Sequence, residues 1–380
     1  MLKFGLVSFG HRKDVRSAPL LRRSRCIAKL NIVMQPIELG PNQPRQFYQG
    51  GQAIADLRGL GGGDGYRPED WVGSATPRYG TETDGLSRLP DGTYLRDALE
   101  ADPESWLGPA HVEYFGSSPA LLVKLLDAGE RLPVHVHPDR SFASSHLGSR
   151  HGKTESWVVL GVQGASPAVY LGWTRDVETA ELSRWVAEQD AAAMLSQLHK
   201  LTVAPGDAVL VPAGTPHAIG EGVFVAELQE PTDFSIMLEF KGFDIDPAGG
   251  ELGLGKELAL SSVSRRAFSA DGVEALRKKA MGGGSTFLEE VMPAAADPYF
   301  RCQRVFGRAA LLLEPSFAVL LVISGAGSLE GDGWEVPVTR GSTLVMPWAA
   351  GHVRVTGDVE LLRCLPPLPS YAKADEPAPA

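Results

Sequence analysis

Two segments of the chain place histidines where β-strands and tight turns would bring them together. The first reads Gly129-Glu-Arg-Leu-Pro-Val-His135-Val-His137-Pro-Asp139 and the second Gly206-Asp-Ala-Val-Leu-Val-Pro212-Ala-Gly214-Thr-Pro-His217. Between them lies Gly152-Lys153-Thr-Glu155. Side chains two apart on a strand point the same way, so His135 and His137 can reach one ion from a single strand. Pro138 ends that strand, and the rigid Pro212 to Pro216 turn presents His217. Glu155 adds a hard oxygen. Three imidazoles and a carboxylate suit a zinc-like divalent ion, another transition metal remaining open, with room for a substrate oxygen. Read singly, the His-x-His pair and the glycine-proline turn are weak signals, and Glu155 reads as a strand-edge carboxylate paired with Lys153. Their occurrence in order, each behind a glycine at the same offset, carries the metal reading.

The surrounding texture is that of short strands. Leu121 to Leu126 is an apolar run interrupted by Lys124, Leu132 to His137 alternates, and Ser156 to Leu160 and Ala168 to Leu171 continue the series. Asp176 to Leu201 spaces Leu182, Val186, Met194, Leu195 and Leu198 as a helical face does. Strands resume over Thr202 to Val211, Val223 to Leu228 and Phe234 to Phe240. Residues 250–290 read as helical, with Ser269 as an N-cap, and the chain is β-rich again after Tyr299. Residues 34 to about 120 look irregular. A faint repeat closes the pattern: Gly341-Ser-Thr-Leu-Val-Met-Pro347-Trp-Ala349-Ala-Gly-His352 copies the Gly206 to His217 spacing, but its upstream counterpart holds no histidine pair. The repeat implies a second β-barrel without a metal site, in which His352 is a lone histidine at a strand end.

The 380 residues are enough for two or three domains and a sizeable core. A net charge of −10, with no basic patch in the body of the chain, argues against a nucleic-acid partner. Cys26, Cys302 and Cys364 show no metal or redox spacing, which fits a reducing, cytoplasmic compartment. The longest apolar run, Phe317 to Ile323, is strand-sized, so no membrane span is expected. The first 33 residues carry eight Lys or Arg against one acid, Asp14, a net of +7 that leaves −17 on the rest. They read either as a targeting peptide or as a disordered extension ahead of a folded protein starting near Met34. The Pro-rich tail 367–380 reads as disordered.

The two histidine patterns resemble the signature motifs of the cupin superfamily, a jelly-roll β-barrel. The resemblance extends further. Leu121 to Ala128, Val134-His-Val-His137-Pro-Asp139, Gly152-Lys-Thr-Glu155 and Val211-Pro-Ala-Gly-Thr-Pro-His217-Ala-Ile-Gly220 follow one another as in type I mannose-6-phosphate isomerases. Glu69-Asp-Trp71-Val-Gly-Ser74 is similar to that family's early Glu-x-Trp-x-x-Ser element. The resemblance implies a mainly β fold of two cupin barrels with helical insertions. A metal-binding barrel would occupy 34–248 with its insertion near 176–201, a helical segment 249–292, and a metal-free barrel 293–366. It implies an aldose–ketose isomerase, first of all between mannose 6-phosphate and fructose 6-phosphate through an enediol, acting as monomer or homodimer. The family's zinc ligands map to His135, His137, Glu155 and His217, the first of these commonly Gln in the family. Lys153, Glu227 and Asp233 fall on its site residues, Glu227 as the candidate base. Two positions depart. Met237 stands where the family has an arginine four residues after the aspartate, and Pro133 stands in place of a serine. Both positions are tied there to the phosphorylated substrate, and methionine cannot supply arginine's planar fork. Lys241 or Arg140 could compensate. A different or unphosphorylated sugar, or a metal cupin that binds sugar without turnover, is the competing expectation.

Overall fold

The computed structural model describes residues 34–62, 64–280 and 287–372, so the expectations for 1–33 and for the tail beyond 372 lie outside the described residues. Two antiparallel sheets face each other in the first barrel. One has the order Arg277–Lys278, Ala208–Val211, Glu155–Val162, Val223–Gln229, Leu122–Asp127, Glu69–Val72; the other runs Ile236–Met237, His135–Val136, His217–Ile219, Ala168–Trp173, Leu198–Thr202. Between them lies an apolar core that includes Leu126, Trp157, Val159, Val169, Leu171, Val209, Ile219 and Val225. A third, eight-stranded sheet curls into the second barrel around the long strands Ala318–Gly331 and Val353–Leu365. Its interior is aliphatic: Leu320, Val322, Leu344, Met346, Val353, Val355 and Leu361. The period-2 alternation gives each sheet a second buried face. Val123, Leu125, Val158, Leu210 and Leu228 of the first barrel join Phe317, Val319, Leu321, Leu362 and Cys364 of the second in one further cluster. Each such side chain, fully buried, contributes about 1.5–3 kcal/mol.

The fold is the expected mainly β architecture, with several local differences. The helical reading of Asp176 to Leu201 overshoots. The helices are Thr179–Glu188, which buries Leu182, Trp185 and Val186, and Ala191–Ser196, capped by the Asp190 carboxylate on Ala193 N. Leu198–Thr202 is instead a strand on Ala168–Trp173, because Leu198 and Leu201 fit a barrel edge as well as a helix face. Phe234 to Phe240 contributes only Ile236–Met237 as strand. Ser269 caps Ala270–Glu274 as read, but 250–290 is not helical throughout. Arg277–Lys278 pairs with the first barrel and Leu288–Glu290 with the second. The segment after Met34 is more ordered than it looked. Ile37–Glu38 pairs with Thr343–Met346 of the second barrel, and Glu69–Val72 closes the larger sheet of the first. Pro369–Ala372 is helical, against the disorder expected from 367.

Candidate metal centre

His135 and His217 face each other directly across neighbouring strands, and His137 follows two residues on. Gly214 makes this possible. It sits at φ 80°, where a side chain would be strained, and its N–H donates to the His137 carbonyl at 2.7 Å. The turn thereby locks the two histidine segments together. One nitrogen from each of His135, His137 and His217 lies within 4.8 Å of the others, and all three rings are buried. Glu155 enters from the opposite sheet, its strand paired to Val211 on one side and Gln229 on the other.

The hydrogen bonds fix which atoms face inward. Each Nδ1 contacts a backbone carbonyl at 2.8 Å: His135 that of Pro133, His137 that of Phe234 and His217 that of Thr215. A carbonyl can only accept, so each Nδ1 carries the proton and each Nε2 is left with a lone pair. Yet His137 Nε2 is 2.9 Å from Glu155 Oε2 and His217 Nε2 is 3.3 Å from Glu155 Oε1. These are acceptors turned on acceptors. Glu155 Oε2 and His217 Nε2 are buried without a hydrogen-bond partner. The Lys153 ammonium, 3.1 Å from His137 Nε2 and 3.2 Å from Glu155 Oε2, answers one side of this cluster. His217 Nε2 and its Glu155 contact are left to a further cation, and the donor set fits a divalent one. Burial and the neighbouring imidazoles hold His135 well below the usual histidine range; burial and the Lys153 ammonium bring His137 down to about 3. Burial alone would raise the Glu155 carboxyl, but Lys153 and the histidine contacts outweigh it and keep it well below the carboxylate range. Neutral imidazoles and an ionised carboxylate are the protonation states in which these groups bind metal.

Next to this cage is a buried charge cluster. Lys124 Nζ lies 3.4 Å from Glu69, 3.7 Å from Glu227 and 3.8 Å from Asp233, and 4.4 Å over the Trp71 ring. Register produces it: Trp71, Lys124, Glu227 and Trp157 are successive cross-strand partners. Lys124 therefore points inward while Val123 and Leu125 point to the second barrel. Glu69 is fully engaged by Tyr48 Oη at 2.6 Å, Trp71 Nε1 at 2.7 Å and Gln46 Nε2 at 2.9 Å. Its burial is outweighed by Lys124 and these donors, which lower it. Lys124 is raised: its burial is outweighed by Glu69, Glu227 and Asp233. Glu227 is different. Its Oε1 has no hydrogen-bond partner, and burial with the nearby Glu155 charge pushes it up to about 7. Burial also raises Asp233.

His135, Glu155, Lys153, Glu227 and Asp233 line one cleft of about 290 Å³, together with Lys124 and Met237. Of the site residues read from the sequence, His137 and His217 do not line this cleft and belong to the cage beside it. Lys153 is 3.2 Å from Glu155 and 3.1 Å from His137 Nε2. Asp233 Oδ2 accepts from Tyr79 N at 3.1 Å. Neither suggested substitute for the missing arginine lines the cleft. Arg140 is bonded to Glu230 at 2.6 Å, and Lys241 is exposed elsewhere. Residue-by-residue reading had given no site role to Lys124, Glu69, Trp71 or Tyr48. A lysine inside an apolar strand was the available signal for the first.

No protein-family model matches the chain. It is 27% identical over 325 residues to the mannose-6-phosphate isomerase ManA of Bacillus subtilis, covering 82% of this chain and 93% of that protein. It is also 27% identical over 301 residues to the mannose-6-phosphate isomerase of Streptococcus mutans, covering 77% and 87%. The chain is similar to mannose-6-phosphate isomerases along most of its length. The crystal structure of the Bacillus subtilis mannose 6-phosphate isomerase superposes with a TM-score of 0.69 at 22% identity, over 87% of this chain and 99% of that one. A mannose 6-phosphate isomerase bound with zinc and yttrium superposes at 0.65 and 18% identity, over 88% and 100%. The fold is that of these isomerases.

Proposed function

We infer that the protein is a metal-dependent aldose–ketose isomerase that interconverts mannose 6-phosphate and fructose 6-phosphate. The observation that carries this reading is a buried carboxylate with a free oxygen, Glu227, in the same cleft as a cage of inward-facing lone pairs. His135, His137, Glu155 and His217 would hold the ion, with zinc favoured by the donor set and by the zinc-bound relative. Bound there, the ion would polarise the sugar's carbonyl and hydroxyl oxygens and stabilise developing negative charge by several kcal/mol.

The chain's own residues supply the rest. Glu227 takes the proton from the hydroxyl-bearing carbon beside the carbonyl and returns it to the former carbonyl carbon, while the hydroxyl proton passes from that hydroxyl oxygen to the former carbonyl oxygen, giving the other isomer through an enediol. Its carboxyl, pushed up to about 7, accepts a proton more readily than an exposed glutamate does. Lys124, 3.7 Å from Glu227, holds it in place and offsets part of the negative charge of Glu69, Glu227 and Asp233. Lys153, 3.2 Å from Glu155, orients that ligand. Asp233, anchored by Tyr79 N, holds a sugar hydroxyl. Partners are small sugars only, and the chain works as monomer or homodimer. A cytoplasmic setting agrees with three sparse cysteines that show no disulfide spacing. Among the described residues no helix is long and apolar enough to cross a membrane.

A coupled assay for fructose 6-phosphate formation tests the reading. Turnover of mannose 6-phosphate that disappears on chelation is expected. A second reading, isomerisation of an unphosphorylated sugar, draws on Met237 and Pro133, which line the cleft at the two positions that depart from the resembled pattern. It predicts equal or better turnover of mannose.

A further inference from the structure

Lys124, Lys153 and Arg78 are the cations that line the cleft among the described residues. The first two are committed, Lys124 to Glu69, Glu227 and Asp233, and Lys153 to Glu155 and His137. Arg78 is not. Its Nη1 donates to Asp84 Oδ2 at 2.9 Å and to the Arg45 carbonyl at 3.2 Å, while Nε and Nη2 have no hydrogen-bond partner among the described residues. The side chain is 31% exposed, at the mouth rather than the floor.

The loop that bears it is fixed to the site wall. Arg78 N donates to the Asp84 carbonyl at 2.7 Å, Tyr79 N to Asp233 at 3.1 Å, and Tyr79 Oη to the Leu252 carbonyl at 3.0 Å. Asp84 and the Arg45 carbonyl hold one corner of the guanidinium plane. The Nε and Nη2 edge, two parallel donors, is left open. That edge is the one that grips a phosphate in bidentate fashion. Asp244 and Asp246 line the same cleft and are exposed, so an incoming dianion meets repulsion there and needs a directed donor to offset it.

We propose that Arg78 anchors the phosphate of the substrate, serving from the Pro77–Asp84 loop the role that Met237 cannot serve from the barrel wall. The proposal rests on the isomerase reading. It makes Arg78 a specificity-determining residue and moves the phosphate site to the rim.

The test compares wild type, Arg78→Met and Arg78→Lys, each with its metal content measured, using mannose 6-phosphate and mannose as probes. Arg78→Met should raise the KM for mannose 6-phosphate by roughly 10–100-fold while kcat moves by less than about threefold. Its effect on mannose should be at least tenfold smaller, and Arg78→Lys should fall between the two. Calorimetric binding of mannose 6-phosphate should weaken in parallel. An Arg78→Met protein with unchanged mannose 6-phosphate kinetics, or with equal losses on both sugars, overturns the proposal and leaves the isomerase reading intact. Wild type that turns over neither sugar overturns the isomerase reading instead; calorimetry then decides Arg78, since unweakened binding of mannose 6-phosphate to Arg78→Met removes it as the anchor.

Discussion

The two barrels carry the same hairpin spacing and use it for opposite ends. Gly206 and Gly341 open them at φ 89° and 90°. The hairpins then diverge at one position. Gly214 takes φ 80° and turns His217 into the barrel, where it is fully buried. Its counterpart Ala349 lies within a 3-10 turn, Trp348–Ala350, and the left-handed step falls two residues later at Gly351. His352 is consequently swung outside, 55% exposed and 3.1 Å from Glu314. Inside, the first barrel gathers Lys124, Lys153, Glu155, Glu227 and three histidines at one end, whereas the second closes on aliphatic side chains. Buried charges without an apolar alternative destabilise a fold unless each is paired. The second barrel is mainly apolar packing, with Arg363 its buried charge among the described residues, and it abuts the face of the first that lies behind the site. The comparison separates a scaffold from a site built on the same hairpin.

The comparison breaks most visibly at the paired histidines. His217→Ala should lose stoichiometric metal by elemental analysis and lower isomerase activity by at least ~100-fold. His352→Ala should change neither by more than twofold, since an exposed ion pair contributes little. Equal effects would end the distinction between the barrels.

Glu227→Gln comes next. Loss of the base should reduce kcat by roughly 10²–10⁴-fold with metal retained. A full complement of metal and an unchanged rate would remove Glu227 from the chemistry. Lys124→Met should destabilise the first barrel by about 3–5 kcal/mol in urea titrations, because Glu69, Glu227 and Asp233 lose their common counter-charge. Arg363→Met in the second barrel should cost less, since Arg363 contacts only the Gln303 side chain and the Glu314 carbonyl.

These residues also show what could be read without a fold. His135, His137, Glu155 and His217 were legible because local turn chemistry and the period of a strand place them, and both are written in adjacent residues. Glu227, Asp233 and Lys153 came from resemblance alone. Lys124 stood out as an anomaly in an apolar run, but its role depends on lying opposite Trp71 and Glu227, and register between distant strands is not a local property. The same limit explains Leu198–Thr202, whose leucines satisfy a helical period until a partner strand claims them. It also explains Arg78, an ordinary charged loop residue until the cleft closes around it.

A subtler contrast is in pH. In metal-stripped protein the Glu227 carboxyl stands at about 7 against its usual 4.5. Its neutral form is the one the fold favours, so its contribution is complete below pH 4.5 and lost as pH rises through about 7. Glu227→Gln should become progressively more stable than wild type across that window, by urea unfolding at several pH values; a constant difference would contradict the shift. The smallest effect concerns the turns. Gly214→Ala should cost about 1–2 kcal/mol for the left-handed backbone, while Ala349→Gly, in a turn that needs no positive φ, should stay within about 1 kcal/mol.

The central claim is that the first barrel's cage and Glu227 form one isomerase site. Incubation of mannose 6-phosphate with the protein in D2O, followed by NMR, tests it most directly. The expected result is fructose 6-phosphate from wild type and none from His217→Ala. Protein carrying one divalent ion per chain that leaves mannose 6-phosphate unconverted and unlabelled would contradict it.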